Sequence, residues 1–353
     1  MKRCLKGIMG IMGMMMGPVA AELIVLASPS EQDTYYADMQ DGIMDFQIDY
    51  AKKIIKHGDQ VLVLSSPSLY QEYVEALGKQ NVMIAPMLDI WMRDFTLVNP
   101  NKPVMFRYTA VGQGGGKEGQ VQADEVQDVF YQLVKQAGLD FTSSDWLDDG
   151  GNFVSDYADS VVLSTKFLHD NQLTEQKARQ TLRQLLRIQN IAFIEADEQG
   201  GLEHADGVVS FVEPNTLLVN SYPDDPDYAK QLIMDLKQQL PKIKIVEITT
   251  PYDGNDIYDK RFGSACGLYT NMLVTPNRIY LPQFGIPQDK LALAQVRDVT
   301  SKTVIPVSSS QVCHMGGGVR CMSLQLRGDN AQKLLDYARS QSNDRLKQSG
   351  IVE

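Results

Sequence analysis

The chain has 353 residues, of which 43% are hydrophobic and 22% are charged, which is the composition of an ordinary globular protein. Its formal net charge is −11 and its sequence pI is about 4.9. This acidic balance argues against nucleic acid as the main partner and suits a cationic ligand.

The N-terminal segment has the order of a secretory signal peptide. A basic stretch at 1–6 precedes an apolar stretch at 8–16, and Ala20 and Ala21 offer cleavage positions. The apolar stretch is too short to span a bilayer, and no later one is long enough. We expect a signal over residues 1–21, one domain over 22–353 and a secreted or periplasmic protein with no membrane segment. A Met-rich unstructured start, in a cytoplasmic protein, is the alternative.

The cysteine count indicates a free thiol. Cys4 would leave with the signal, and the odd number that remains is typical of an exported protein with one reactive cysteine. Cys266 and Cys313 fit either a disulfide or two buried thiols. The four histidines lack the paired Cys/His spacing of a zinc site, so we expect no metal, and the chemistry below requires no organic cofactor.

Strands and helices alternate along the chain. A buried strand over 22–27, a helix over 37–57 and a strand over 61–64 come first. Four hairpins follow, and three of them turn at a segment that contains Pro-Asn. The hairpins lie at 95–107, 153–163, 208–219 and 272–281, the helices after them at 121–137, 174–188, 226–239, 287–299 and 329–347, and the closing strands at 191–194, 243–248 and 304–307.

A unit of two strands, a helix and a strand thus recurs every 50 to 65 residues. This period indicates an α/β fold in which similar units form a closed ring, with the N-terminal strand completing the last unit. An ordinary mixed α/β domain is the alternative.

A polar cluster lies before each hairpin or at its start, and a last one follows the fourth unit. The clusters are 91–94, 148–152, 204–206, 269–271 and 316–321. In a ring of units, five clusters at equivalent places converge on the central axis, which brings polar groups from separate elements into one site.

The residue types in these clusters fit guanidinium chemistry. Asp94 and Asp206 can each accept paired N–H bonds from a planar guanidinium and hold its carbon against a nucleophile. Cys321 follows a glycine-rich turn, and a bound guanidinium, a protonated His204 or the neighbouring Arg320 would favour its thiolate.

Two further residues would assist the thiol. His204 can protonate the leaving ammonia and then deprotonate the attacking water. Asp149 would hold His204 in position or contact the substrate nitrogens. Each residue also has a structural interpretation: Trp91 as core, Asp94 in an ion pair with Arg93, and His204 in a surface cluster.

Four ordered motifs resemble the agmatine deiminase and bacterial peptidyl-arginine deiminase family, over roughly residues 22–347. They are Trp91-x-Arg93-Asp94, Gly150-Gly-Asn152, His204-x-Asp206 and Gly316-Gly-Gly-x-x-Cys321. The resemblance implies a five-bladed α/β propeller of ββαβ units, with Cys321 as nucleophile, His204 as acid and base, and Asp94 with Asp206 as guanidinium ligands. Asn271 is similar to an active-site asparagine of the secreted members.

The chain also departs from agmatine deiminases. It has Asp149 where they usually have Glu, Arg320 where they usually have His, and Phe95-Thr96 where Gly-Pro tends to follow. These departures, the signal and Asn271 favour a peptidyl-arginine or free-arginine substrate, and Arg107 would then pair with a substrate carboxylate. The residues expected to bind substrate are Trp91, Arg93, Asn152, Asn271 and Arg107.

The resulting prediction is a hydrolase that converts protein or peptide arginine to citrulline and ammonia through a thiouronium intermediate on Cys321. An agmatine deiminase is the alternative with the same chemistry. An amidinotransferase and a non-catalytic guanidino-binding protein are more remote, and the sequence does not indicate an oligomeric state.

Overall fold

The computed structural model describes residues 21–31, 34–197 and 201–348. The expected signal peptide, apart from Ala21, lies outside the described residues. Within them, no helix combines the length and the apolar character that crossing a membrane requires.

The described strands form five separate sheets. The first contains β1 (Leu23–Ala27), β2 (Gln60–Ser65) and β3 (Val82–Ile84), and the second contains β4 (Val104–Arg107) and β5 (Thr142–Leu147). The other three are β6 (Val154–Ser155), β7 (Ser160–Ser164) and β8 (Asn190–Ile194); β9 (Val209–Glu213), β10 (Thr216–Asn220) and β11 (Lys244–Ile248); and β12 (Leu273–Val274), β13 (Arg278–Gln283) and β14 (Thr303–Ser308). A last strand, β15 (Leu324–Leu326), joins the first sheet beside β1.

Helices connect the strands within and between these sheets. They are α1 (Gln40–Lys56), α2 (Tyr70–Leu77), α3 (Gly116–Gln136), α4 (Lys166–Asp170), α5 (Glu175–Leu186), α6 (Pro226–Gln239), α7 (Asp289–Val299) and α8 (Gly328–Gln348). In the last three sheets the first two strands pair antiparallel, and the third strand pairs parallel to the second after a helical crossover. The predicted repeat of strand, strand, helix and strand is therefore present.

Local sequence explains these elements, as α6 illustrates. The side chain of Asp225 accepts a hydrogen bond from the backbone N–H of Tyr228, and Pro226 occupies the first helical turn, where its missing N–H costs nothing. Leu232 and Leu236 then fall on one face and are buried against the sheet that contains β10. The same apolar cluster contains Ala192 and Ile194 of β8, so this face of α6 packs against two neighbouring sheets.

The first unit differs from the prediction. Residues 95–98 do not form a strand, and only Val98 bridges to Val104. β5 closes the unit by pairing parallel to β4, although its sequence is largely polar. All six of its residues are at least partly exposed, whereas the equivalent strand β8 is mostly buried. Apolar patterning therefore missed β5, and it also missed the short elements α2 and β3.

The two ends of the described chain meet in the first sheet. β15 pairs antiparallel to β1, with Leu23 opposite Leu326. Phe95 and Phe130 of the first unit pack with Leu334 of α8 in one buried apolar cluster. The prediction that the N-terminal strand completes the last unit is confirmed.

Candidate active site

The five polar clusters meet through direct hydrogen bonds between neighbouring units. The backbone N–H of Gly151 donates to Asp94 Oδ1 at 3.0 Å, and His204 Nε2 lies 3.0 Å from Asp149 Oδ2. Asn271 Nδ2 donates to Cys321 Sγ at 3.1 Å.

Two further bonds complete the network. Arg320 Nη1 donates to Asp206 Oδ2 at 2.6 Å, and the backbone N–H of Arg93 donates to Cys321 O at 2.9 Å. Residues from all five clusters therefore form one buried network, as the repeat predicted.

His204 is held as a cation. Burial alone would lower the pKa of its imidazole, but Asp94 at 3.8 Å and the hydrogen bond to Asp149 outweigh burial and raise that pKa to about 9. At neutral pH His204 therefore carries a proton that it can donate.

Asp149 orients this imidazole. Its Oδ1 accepts the backbone N–H of Thr109 at 2.9 Å, and its Oδ2 accepts both the Thr109 hydroxyl at 2.8 Å and His204. Burial opposes the charge of this carboxylate, yet the bonds from His204 and Thr109 bring its pKa below the ordinary value. Of the two roles predicted for Asp149, the structure shows the one that holds His204. Thr109 belongs to none of the sequence clusters, so sequence reasoning missed it.

Near neutral pH, the carboxyl group of Asp94 is present in both its charged and its neutral form. Burial raises the pKa of its carboxyl to about 7, and the nearby Asp149 and Asp206 oppose the compensating effect of His204. Its close packing also explains the Gly-Gly pair, because a Cβ on Gly151 would lie 2.3 Å from His204 Nδ1 and 2.8 Å from Asp94 Oδ1. Only glycine fits at that position.

Cys321 is buried and is the free cysteine of the described residues. Burial, followed by the charges of Asp206 and Asp94, raises the pKa of its thiol well above the ordinary value, and the bond from Asn271 acts in the opposite direction. The thiol is therefore neutral in the substrate-free protein. A cation bound beside it would reverse this balance.

The glycine run before Cys321 lets Trp91 approach. A Cβ on Gly317 would lie 2.5 Å from Trp91 Cζ3 and 2.9 Å from Cys321 Cβ. The Trp91 indole donates to the Tyr36 hydroxyl at 2.6 Å and is partly buried among aromatic rings. The side chains of Trp91 and Cys321 thus both lie against Gly317.

Three residues expected to bind substrate have other partners. The predicted role of Arg107 in substrate binding is corrected, because β4 directs this side chain away from the clusters. The side chain is 45% exposed and donates two hydrogen bonds, of 2.9 and 2.6 Å, to Asp124 on α3. Arg93 is buried, and its guanidinium donates to Gln325 and to the carbonyl of Arg320. The predicted role of Asn152 in substrate binding is corrected as well, because its amide is bonded within the protein.

The amide of Asn152 is fully used within the protein. Its Nδ2 donates to Asp148 Oδ1, and its Oδ1 accepts the backbone N–H groups of Ser164 and Ala205. With 1% exposure it stabilises the junction of two units and has no surface to offer a substrate.

A cavity of about 770 Å³ opens onto this network, and Cys321, His204, Asp206 and Asn271 line its buried end. Asp94 and Trp91 are not among the residues that line it. The Oδ1 atom of Asn271 is buried and accepts no hydrogen bond from the described residues. That atom is therefore an available acceptor beside the thiol.

The more exposed part of the cavity, which we term the outer cleft, carries acids and tyrosines. Its residues are Glu195, Asp197, Tyr222, Asp224, Asp225, Tyr228 and Tyr252. No Lys or Arg lines any part of the cavity within the described residues. Among the same residues, no group of three His, Cys, Asp or Glu side chains has the arrangement of a metal site.

A disulfide joins Cys266 to Cys313 and so resolves the two possibilities that the sequence leaves open. It lies beside the cavity wall, where the backbone N–H of Ala265 donates to the carbonyl of Cys313 at 2.8 Å. The bridge therefore fixes one side of the cavity to the segment that leads to Cys321.

Solved structures share this fold. An agmatine deiminase from C. jejuni aligns over 87% of this chain and 93% of its own, with a TM-score of 0.69 and 17% sequence identity. An agmatine deiminase from Enterococcus faecalis aligns over the same shares, with a TM-score of 0.68 and 20% identity. A relative from Lactococcus lactis, which carries the name agmatine deiminase, is 23% identical over 87% of this chain and 93% of its own length.

A thiol, an imidazolium held by a carboxylate and an acid-lined cavity on this fold define a hydrolase of guanidino C–N bonds. Residues 19–326 match the Porphyromonas-type peptidyl-arginine deiminase family, and the chain belongs to that family.

Proposed function

We propose that this enzyme hydrolyses the guanidinium of arginine residues in peptides or proteins, giving citrulline and ammonia, with Cys321 as nucleophile. One observation carries the proposal: a buried thiol and an imidazolium line the same cavity, and among the described residues every other charged group that lines it is an acid. Such a cavity attracts a cation and places a nucleophile and a proton donor beside it.

The proposed reaction begins with binding. Asp206, Asn271 Oδ1 and Asp94 accept N–H bonds from the substrate guanidinium, whose charge then favours the Cys321 thiolate. The thiol proton leaves to solvent, because His204 already carries its own proton, and it is later taken up by the released ammonia. The sulfur attacks the guanidinium carbon and forms a tetrahedral adduct. The Nη–carbon bond breaks as His204 gives its proton to the departing ammonia, and an S-alkylthiouronium remains on Cys321.

Water completes the cycle. The neutral His204 takes a proton from a water molecule as that water attacks the thiouronium carbon, and the C–S bond breaks to release the ureido product and regenerate Cys321. The balance is one guanidinium and one water converted to one ureido group and one ammonium. The Asp149–His204 bond keeps the imidazole in place through both proton transfers.

The cavity supports a substrate without a free carboxylate near the guanidinium. In the part of the chain that the structure describes, no Lys or Arg lines the cavity, and Arg107 is paired with Asp124 outside it. The α-carboxylate of free arginine therefore finds no Lys or Arg among those residues. An internal arginine of a peptide carries no such carboxylate. The acids of the outer cleft also favour the second candidate, agmatine, because its terminal ammonium would pair with them.

We also propose that the five sheets are the blades of a propeller around the buried network. The repeated strand order and the convergence of all five clusters support this arrangement. Export of the protein is a further proposal, supported by the N-terminal segment and by the Cys266–Cys313 disulfide, since such bonds persist in oxidising compartments.

The test is a substrate comparison. The purified protein is incubated with a peptide bearing internal arginine, a peptide bearing C-terminal arginine, free arginine and agmatine, and both ammonia and ureido product are measured. The highest kcat/KM on internal arginine is expected. A higher kcat/KM on agmatine would replace the lead proposal with the second candidate. Product that forms only when an amine acceptor is added, without ammonia, would show amidino transfer.

A further inference from the structure

Arg320 occupies an unusual place in the network. It directly precedes Cys321, yet its side chain extends to two other units and is 6% exposed. Its Nη1 contacts Asp206 Oδ2 at 2.6 Å and the carbonyl of Gly150 at 3.4 Å, and its Nη2 donates to the carbonyl of Phe153 at 2.8 Å. The guanidinium is thus fixed by three acceptors.

This contact changes what Asp206 can offer. A buried carboxylate is unfavourable unless a cation or several donors offset its charge, and Arg320 does both for Asp206. One oxygen of Asp206 is already bonded, so a substrate meets mainly the other. The two predicted guanidinium ligands therefore differ. Arg320 contacts Asp206, whereas among the described residues no cation lies within 3.5 Å of Asp94, because His204 is 3.8 Å away.

The charges around Cys321 show why this matters. The carboxylates of Asp94 and Asp206 both oppose ionisation of the thiol, whereas the Asn271 amide favours it. The cations nearest these carboxylates are His204, which contacts Asp149 and faces Asp94, and Arg320, which contacts Asp206. Without Arg320, the thiol would face the charge of Asp206 without the cation that contacts that carboxylate.

We propose that Arg320 is a positioning residue that holds Asp206 and neutralises its charge, so that the thiol of Cys321 stays reactive in a site built to receive a cation. The role of Arg320 in turnover rests on the proposed function. The effect of Arg320 on the Cys321 thiol is independent of that function and can be measured without substrate.

The experiment follows alkylation of Cys321 by iodoacetamide across pH, read by mass spectrometry of the peptide that contains it. In Arg320→Met, the pH at half-maximal alkylation is expected to rise by about one unit, because a buried carboxylate now acts unopposed on the thiol. In Asp206→Asn/Arg320→Met the half-maximal pH should return to that of Asp206→Asn alone. A purely structural role for Arg320 would change the alkylation rate at every pH without moving the half-maximal pH.

Two comparisons keep the result decisive. Arg278→Met breaks another Arg–Asp pair, with Asp59 at 2.9 Å, and should leave the alkylation profile unchanged. If Arg320→Met does not fold, the double variant and Asp206→Asn still give the answer, because Arg320 should have no further effect once Asp206 is neutral. A difference above threefold between those two in the alkylation rate, or an unchanged profile in a folded Arg320→Met, would overturn the proposal.

Turnover gives the second readout. Arg320→Met should lower kcat/KM on the best substrate at least tenfold, while Arg320→Lys, which keeps the charge, should recover part of it. If the wild-type protein released no ammonia from any guanidino compound, the proposed function would fail. The alkylation profiles would still report separately on Arg320.

Discussion

The two ends of the cavity are built differently. At the buried end, the two charged residues that line the cavity are paired within the protein: His204 with Asp149, and Asp206 with Arg320. In the outer cleft, Asp224 and Asp225 are exposed. Rigid, desolvated pairs suit chemistry, since they hold charges in place without water, whereas solvated acids attract a cation over a distance without fixing it. Substitutions at the two ends should therefore have different kinetic signatures.

The largest effect is expected at the nucleophile. Cys321→Ser should lower kcat by at least about 10³-fold, because the hydroxyl is a far weaker nucleophile and no neighbouring base compensates for it. Binding of a guanidino substrate should persist, since the carboxylates remain. Calorimetry with the variant measures this, and a kcat within tenfold of wild type would reject the covalent mechanism.

Asp94→Asn should come next, with a loss of about 100-fold in kcat/KM, because the amide keeps the shape but removes a buried charge that faces a cationic substrate. The measurement is steady-state kinetics on the best substrate. Asp148→Asn is a matched control, since Asp148 is also a buried carboxyl in the clusters and burial raises its pKa well above the ordinary value. A loss in the control as large as that in Asp94→Asn would show a general effect of burial instead.

The pH profile of kcat/KM should be bell-shaped. The pKa of Asp94 is about 7, so its carboxylate is lost as the pH falls below that value; the pKa of His204 is about 9, so its proton is lost as the pH rises above that value. Activity should thus be highest between pH 7 and 9 and decline on both sides. Rate measurements from pH 5 to 10.5 test this, and activity that keeps rising through pH 10 would exclude His204 as the proton donor.

Changes in the outer cleft should be smaller and confined to KM. Glu195→Gln combined with Asp224→Asn should raise KM for a cationic peptide about three- to tenfold and leave kcat unchanged, because each exposed acid contributes less than about 1 kcal/mol. Added salt should likewise raise the KM of the wild-type enzyme for the cationic peptide and leave its kcat unchanged. Asp227→Asn removes an exposed charge from α6 outside the cavity and is the control. A fall in kcat with constant KM would contradict the distinction between the two ends.

The smallest effect is expected at Arg107. Its pair with Asp124 is about half exposed, so Arg107→Ala should change kcat/KM less than twofold on every substrate and lower the free energy of unfolding by less than about 1 kcal/mol. Kinetics and urea unfolding check both values. A selective loss on peptides with C-terminal arginine would restore the role that the sequence suggested.

The sequence predicted the repeated units and the meeting of the clusters because apolar periodicity and turn residues encode them locally. It missed β5, whose polar sequence gains its strand form from pairing with β4. Arg107 and Asn152 were assigned to the substrate because they lie next to the motifs. Their actual partners, Asp124 and the backbone of Ser164 and Ala205, depend on side-chain direction.

Thr109 and the Arg320–Asp206 pair show the same limit. Both join residues that are 40 or more positions apart, and no pattern in one segment reveals such a partner. The residue types of a site can be recognised from its motifs. The pairing of its charges requires the fold.

The pairing of β1 with β15 has a consequence for when the enzyme becomes active. Cys321 lies three residues before β15, whose partner strand is about 300 positions away in the chain, and Gln325 and Arg327 both bond to Glu22 beside β1. Contacts between such distant positions are entropically unfavourable and form slowly. The segment that carries the nucleophile is therefore positioned by the pairing of β1 with β15, and the site is assembled only after both of these strands have been synthesised and have met.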